Sequence, residues 1–150
     1  MQSAVTNSVA SSSCEMILGQ GAAGTVKVYN SPRLGRPIAR KIIVIKKCYE
    51  REKCFLEMCK KRNKEPLFKF IIECLSWFHK TDKLFVIDFE LAATDLHRAA
   101  INVNDVPTGC AQWFRDGDSF GRAITDTLSG LMFLHESVNI YHNDIKPANL

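Results

Sequence analysis

The sequence predicts an α+β fold, with an antiparallel sheet carrying one helix and a mainly helical stretch after it. Three features of the sequence predict this. Short apolar runs separated by turn residues fill roughly the first 90 positions; a charged stretch free of Gly and Pro interrupts them; an apolar series at helical period follows near the end. With 46% hydrophobic and 24% charged residues in 150, the chain has enough apolar material to bury a core and too much to stay disordered throughout.

Residues 1–13 read as a flexible Ser/Thr-rich tail. Met16-Ile17-Leu18 begins a strand that enters a glycine-rich stretch, and Val26-Lys27-Val28-Tyr29 alternates out of it, so the two form a hairpin. Residues 30–37 hold two prolines and a glycine and read as a turn. Residues 38–45 are β-branched and apolar, giving a third strand. Residues 47–62 place Phe55, Leu56, Met58 and Cys59 at near-helical spacing, giving an amphipathic helix that Pro66 ends. Residues 70–78 and 84–89 read as two further strands joined by a polar turn over 79–83. Residues 91–103 read as a linker and short helix, and 104–118 as a loop. Phe120, Ile124, Leu128, Leu131 and Leu134 recur at steps of four, four, three and three, one face of a helix running to about His135. A short strand over 139–141 then leads into a polar loop.

Several function classes fall away. The longest pure aliphatic run is Ile42 to Ile45, far short of the roughly 20 apolar residues that span a bilayer. The N-terminus lacks the basic and apolar regions of a secretory signal. The six cysteines form no C-x-x-C pair, so zinc is poorly supported and reduced, packed thiols in an intracellular chain are the expectation. The net charge of +4 demands no nucleic acid. Ten of the twenty basic residues do fall between Arg40 and Lys64, but Glu50, Glu52, Glu57 and Glu65 are interspersed, which describes a solvated, salt-bridged face.

Three stretches carry chemistry. Gly19-Gln20-Gly21-Ala22-Ala23-Gly24-Thr25-Val26 has the spacing G-x-G-x-x-G-x-V. Its glycines permit a tight turn and let backbone amides approach a phosphate. A dinucleotide fingerprint would need a helix next, and a strand follows instead. A plain glycine hairpin remains the alternative. Lys41 lies late in the apolar third strand, fifteen residues after Val26, where its ammonium could pair with phosphate oxygens; an ordinary surface lysine is the alternative. The final stretch, Tyr141 to Leu150, packs His142, Asp144, Lys146 and Asn149 into eight residues. A carboxylate there could orient a hydroxyl, a lysine two residues on could stabilise a transferring phosphoryl group, and an asparagine five residues on could ligate magnesium.

In their order and separations, the three stretches together resemble a eukaryotic-type protein kinase: a Gly-rich loop, an Ala-x-Lys strand and a catalytic loop ending in Asn. The resemblance covers residues 14 to 150. It implies a small lobe over about 14–89, a hinge over about 89–95 and the start of a large lobe over about 96–150. It further implies ATP and Mg2+ as cofactors. Gly19, Gly21 and Gly24 would cover the phosphates, Val26 and Ala39 would sandwich the adenine, and Lys41 would hold the α- and β-phosphates. Asp144 would be the catalytic aspartate, Lys146 would assist at the γ-phosphate, Asn149 would bind a magnesium ion, and His142 would pack beneath the loop. Asp95 would reach the ribose. The gatekeeper position falls on Ile87 or Asp88, and Ile87 is preferred because a carboxylate in a buried pocket is costly. Glu57, sixteen residues from Lys41, is the favoured partner of that lysine over Glu52, which at eleven residues looks tight for a chain that must first finish a strand and turn, although the apolar pattern puts Leu56 one turn after Glu52, as the family prefers. The Lys146-Pro147 pair resembles serine/threonine kinases more than tyrosine kinases.

The chain departs from the family in two places. Asn143 stands where the family usually has Arg, which puts control by activation-loop phosphorylation in doubt; a His-Asn-Asp version is similar to that of some kinases of large DNA viruses. The 150 residues also contain no Asp-Phe-Gly or Ala-Pro-Glu run. The expectation is therefore a C-terminally truncated kinase domain, inert alone, with the apolar stripe of its last helix facing solvent. An intracellular location, in cytoplasm or nucleus, follows from the resemblance, in a host cell if the protein is viral. A protein substrate is implied, and neither nucleic acid nor a membrane. The second expectation is a non-catalytic kinase-like module that binds another kinase or other protein through that helix.

Overall fold

The computed structural model describes residues 16–22, 24–101 and 117–150. The tail expected over 1–13, most of the loop expected over 104–118, and Cys14, Ala23 and Cys110 lie outside the described residues.

Among the described residues five strands form one antiparallel sheet in the order β1-β2-β3-β5-β4: β1 (Ile17–Gly21), β2 (Gly24–Ser31), β3 (Arg36–Ile43), β4 (Cys74–Thr81) and β5 (Leu84–Phe89). The glycine-rich stretch is the tip of the β1–β2 hairpin, with Gly21 opposite Gly24. The register sorts side chains by face, because successive residues of a strand point to opposite sides. Val26 pairs with Lys41, and Val28 with Ala39. Lys41 in turn pairs with Ile87, and Ala39 with Phe89. One face therefore carries Val26, Val28, Ala39, Lys41, Ile87 and Phe89, while Arg40, Asp88 and Ser76 belong to the other.

Helix α1 (Lys46–Lys61) starts only two residues after β3 ends, and packs on the Lys41 face. Tyr49 and Leu56 meet Ile43, Phe85 and Ile87 in one buried cluster, with Cys48, Cys74 and Trp77 against it. Tyr49 stacks on Phe85 at 4.8 Å between ring centroids and meets the edge of His79 at 5.3 Å. Burial pushes the Cys59 and Cys74 thiols up to about 11, so both stay protonated at neutral pH.

A 3-10 turn (Pro66–Phe70) joins α1 to β4. After β5 come a short helix α2 (Leu96–Ile101) and a longer helix α3 (Gly117–Met132), extended by a wider turn over Phe133–Ser137. A second cluster of Cys59, Phe133, Leu134 and Val138, backed by Phe55, Leu67, Phe68, Ile71 and Ile140, ties α1 to this helical half. Gly130 allows the approach, since a Cβ there would sit 3.2 Å from the Phe70 carbonyl oxygen.

Five expectations about elements need correction. The strand expected from residue 70 begins at Cys74, because Pro66 starts a tight turn that sends Ile71 into the second cluster. It also runs on through the expected turn to Thr81, leaving Asp82 and Lys83 at the bend. Val44 and Ile45 leave the third strand to form the junction with α1. The strand expected over 139–141 does not form; Asn139 has a left-handed backbone (φ 58°), and among the described residues no strand pairs with it. The stripe on α3 is split. Phe120, Ile124 and Leu128 are about half exposed, Leu131 is half-buried and Leu134 is buried; Met132, beside the stripe, is also about half exposed. No helix among the described residues is long and apolar enough to cross a membrane.

Candidate active site

Lys41 lies on β3 facing α1, and its ammonium pairs with the Glu52 carboxylate. The favoured partner, Glu57, is overturned. It lies 3.7 Å from Lys53 on its own helix, with nearly half its side chain exposed. The cause is helical phase. Tyr49, Glu52, Leu56 and Cys59 fall at steps of three, four and three, so Glu52 shares the sheet-facing stripe with three buried residues. The distance objection fails because the turn takes only Val44 and Ile45.

The glycines divide into two kinds. Gly24 has φ +139°, and a Cβ there would collide with the backbone of Ile42 on β3. Gly19 and Gly21 have open space around the Cβ position, with nothing within 4 Å. Val26 is half-buried and Ala39 buried on the same sheet face as Lys41.

The carboxylate at Asp88 is buried after all, at 5% exposure, but on the opposite face from Lys41. It accepts hydrogen bonds from Arg40 Nε (2.7 Å) and Arg40 Nη2 (2.9 Å), and one from the Ser76 hydroxyl (3.2 Å). The Arg40 guanidinium also lies over the Tyr29 ring at 3.5 Å. Its bonds to Asp88 raise the arginine pKa further against the opposing effect of burial. The burial cost is thus offset by a bidentate pair, and Ile87 keeps the position opposite Lys41.

The last loop gathers its own polar groups. Lys146 Nζ lies 2.9 Å from Asp144 Oδ2, and Asn149 Nδ2 donates to the same oxygen and to the Asp144 carbonyl, each at 2.8 Å. These bonds, Lys146 first and Asn149 second, hold the Asp144 carboxyl below the usual aspartate range. His142 is exposed rather than packed beneath the loop, and its Nδ1 accepts the Asp144 amide at 3.2 Å. Asn143, in the position of the family's Arg, has a left-handed backbone (φ 60°), which Asn adopts more readily than most residues. The Leu96 amide of α2 donates to the Leu150 carbonyl at 2.9 Å, docking the loop beside α2. Asp95 caps α2, with Oδ1 accepting the Arg98 amide at 2.8 Å. Among the described residues no hydrogen bond or ion pair links the Lys41–Glu52 pair to the Asp144 group.

A family model described as "Protein kinase domain" matches residues 13–150. The chain belongs to the protein kinase family. This kinase domain is also 26% identical over 140 residues to the dual specificity mitogen-activated protein kinase kinase 1 of Dictyostelium discoideum. That alignment takes in 89% of this chain and 19% of the relative, so the chain spans about a fifth of that protein's length. The five-stranded sheet with α1 is the small lobe of the kinase fold, and α2 and α3 begin the large lobe.

The loop's electrostatics give a direct test. With Lys146→Met, the carboxyl titration of Asp144 in the kinase domain should move up, toward the ordinary aspartate value of about 3.9. Carboxyl chemical shifts followed against pH measure it. The wild-type pairing favours the carboxylate above that value and fades as pH falls through the lowered one. An unmoved titration would mean that Lys146 does not hold Asp144.

Proposed function

We propose that this chain forms the nucleotide-binding lobe and catalytic loop of an ATP-dependent kinase that phosphorylates serine and threonine in proteins. The observation that carries the reading is the convergence of Lys146 and Asn149 on one oxygen of Asp144. Asp144 stays ionised at neutral pH and would accept the proton of a substrate hydroxyl. Lys146, beside it, would balance negative charge growing on the transferring group. Asn149 uses its amide nitrogen on Asp144 and so keeps its amide oxygen for a hard cation. The residues of the small lobe fit a polyphosphate nucleotide. Gly19 and Gly21 leave the hairpin open to close approach, and Lys41 is held at a fixed place by Glu52. ATP would supply the phosphoryl group, and magnesium would neutralise its charge.

Calorimetric titration of the 150-residue chain with Mg-ADP tests the nucleotide half. Binding is expected, and Lys41→Met should weaken it about tenfold or more, the scale of one hydrogen bond to a charged group. Glu52→Gln should weaken it in the same direction, while Glu57→Gln should leave it within about twofold, since its ion pair is exposed. No binding by the wild-type chain would sink the proposal. Phosphoamino-acid analysis of substrate labelled by the full-length protein separates serine and threonine from tyrosine.

These 150 residues hold no Asp-Phe-Gly run to supply a second metal-binding carboxylate, so the polypeptide alone is expected to bind nucleotide without turnover. The exposed ridge of Ile124, Leu128 and Met132 favours a second reading, a module that docks on another protein. A full-length protein that binds nucleotide, transfers nothing and co-purifies with a kinase would support it. Either reading places the protein inside a cell, where ATP is available.

A further inference from the structure

One contact joins the two lobes at a point the catalytic reading does not use. Arg98, on α2, donates from Nη2 to the Leu18 carbonyl of β1 at 2.8 Å, across 80 residues of sequence. Leu18 immediately precedes Gly19. The same guanidinium lies with Nε 3.4 Å from Asp95 Oδ2. Asp95 in turn caps α2 through its other oxygen, so the arginine is held at its base as well as its tip. The α2 end of this bridge is anchored too, because Leu96 bonds the Leu150 carbonyl next to Asn149.

We infer that Arg98 is a positioning residue that straps the glycine-rich hairpin to the large lobe and so slows the escape of bound nucleotide. The inference rests on the nucleotide-binding reading above. Its physical basis is the geometry of β1. Among the described residues this strand is at the edge of the sheet, with β2 as its one sheet neighbour. Its register shifts between Ile17 and Gly19, and Gly19 and Gly21 are in the open. An edge strand with a bulge and two unpacked glycines is free to lift unless held from its other side. A charged donor on its carbonyl supplies that hold. Arg suits the task because its planar fork can serve the carbonyl and the carboxylate together, whereas a lysine presents one compact ammonium.

The experiment has two readouts on the 150-residue chain. Amide hydrogen exchange of residues 17–21 is measured without nucleotide, and the dissociation rate of ADP is measured by chase. In Arg98→Ala, both should rise about fivefold, the order expected for one exposed hydrogen bond from a charged donor. Global unfolding in urea should not move. Arg98→Lys should restore only part of each. Unchanged exchange over 17–21 would overturn the strap. Faster exchange with unchanged ADP release would overturn its action on the nucleotide. If the wild-type chain binds no ADP, the nucleotide-binding reading fails and the action on release with it, while the exchange measurement still decides whether the strap exists.

Discussion

Asp88→Ala should destabilise the kinase domain by about 3–5 kcal/mol, the loss expected when one partner of a buried ion pair is removed. Removing the carboxylate leaves the Arg40 guanidinium, about one-fifth exposed, without its bidentate partner. It also leaves the Ser76 hydroxyl without an acceptor. A buried charge left alone costs far more than the net worth of the pair. Total domain stabilities are about 5–15 kcal/mol, so such a loss brings the chain close to unfolding at ambient temperature. Urea denaturation gives the number. The paired replacement Arg40→Met with Asp88→Leu separates pairing from packing. It should recover most of the loss, because an apolar pair of similar volume leaves no stranded charge. A single Asp88→Ala chain with an unshifted midpoint would show that the pair is already solvated and carries no weight.

Gly24→Ala should cost about 3 kcal/mol and also disturb the site. The backbone at φ +139° is one that L side chains rarely adopt, and holding another residue there costs of order 1–3 kcal/mol. The added Cβ would also press on the Ile42 carbonyl, with the carbonyl carbon at 3.1 Å and the Ile43 Cα at 3.3 Å. Those atoms belong to β3, one and two residues beyond Lys41. Relief requires β2 to lift from β3 where Thr25 faces Ile42 and Val26 faces Lys41. Stability and nucleotide affinity should therefore fall together. Gly19→Ala and Gly21→Ala are the contrast. Open space surrounds both positions, so their unfolding midpoints should stay within about 0.5–1 kcal/mol of wild type. If they cover phosphates, their affinities fall alone. Thermal melts and ADP titrations on the three variants sort the hairpin's glycines into structural and binding roles.

How far the sequence discloses this molecule depends on whether the deciding neighbour is close in the chain. The β1–β2 hairpin, β3, α1 and α3 are legible because each depends on local pattern. The start of β4 is not, since Phe70, Ile71 and Ile72 look like strand until the tight turn behind Pro66 aims Ile71 at α3. Asp88 illustrates the same limit in the opposite sense. Its burial is costly only without a partner, and that partner is 48 residues earlier on the neighbouring strand. Alternation along β3 does place Arg40 opposite in face to Lys41, a readable sign that a second polar site lies behind the sheet. For Glu52 the helix pattern is the better guide than chain distance, because the stripe through Tyr49, Leu56 and Cys59 passes through it. Arg98 left only a faint trace, an aspartate three residues before an arginine, and its contact with Leu18 needs the lobes in place. The loop from His142 to Asn149 was legible as a group because its contacts span no more than five residues.

The short junction between β3 and α1 makes the helix a lever. Ile45 is its fulcrum, and α1 extends about 24 Å from there to Lys61 at 1.5 Å per residue. Glu52 is seven residues along, about 10 Å from the fulcrum. A 3 Å push on the far tip would therefore move Glu52 by about 1.3 Å, enough to stretch an ion pair beyond hydrogen-bond range. That tip is already wedged by Cys59 against Phe133 and Val138, so the torque on Lys41's partner is set from the other lobe.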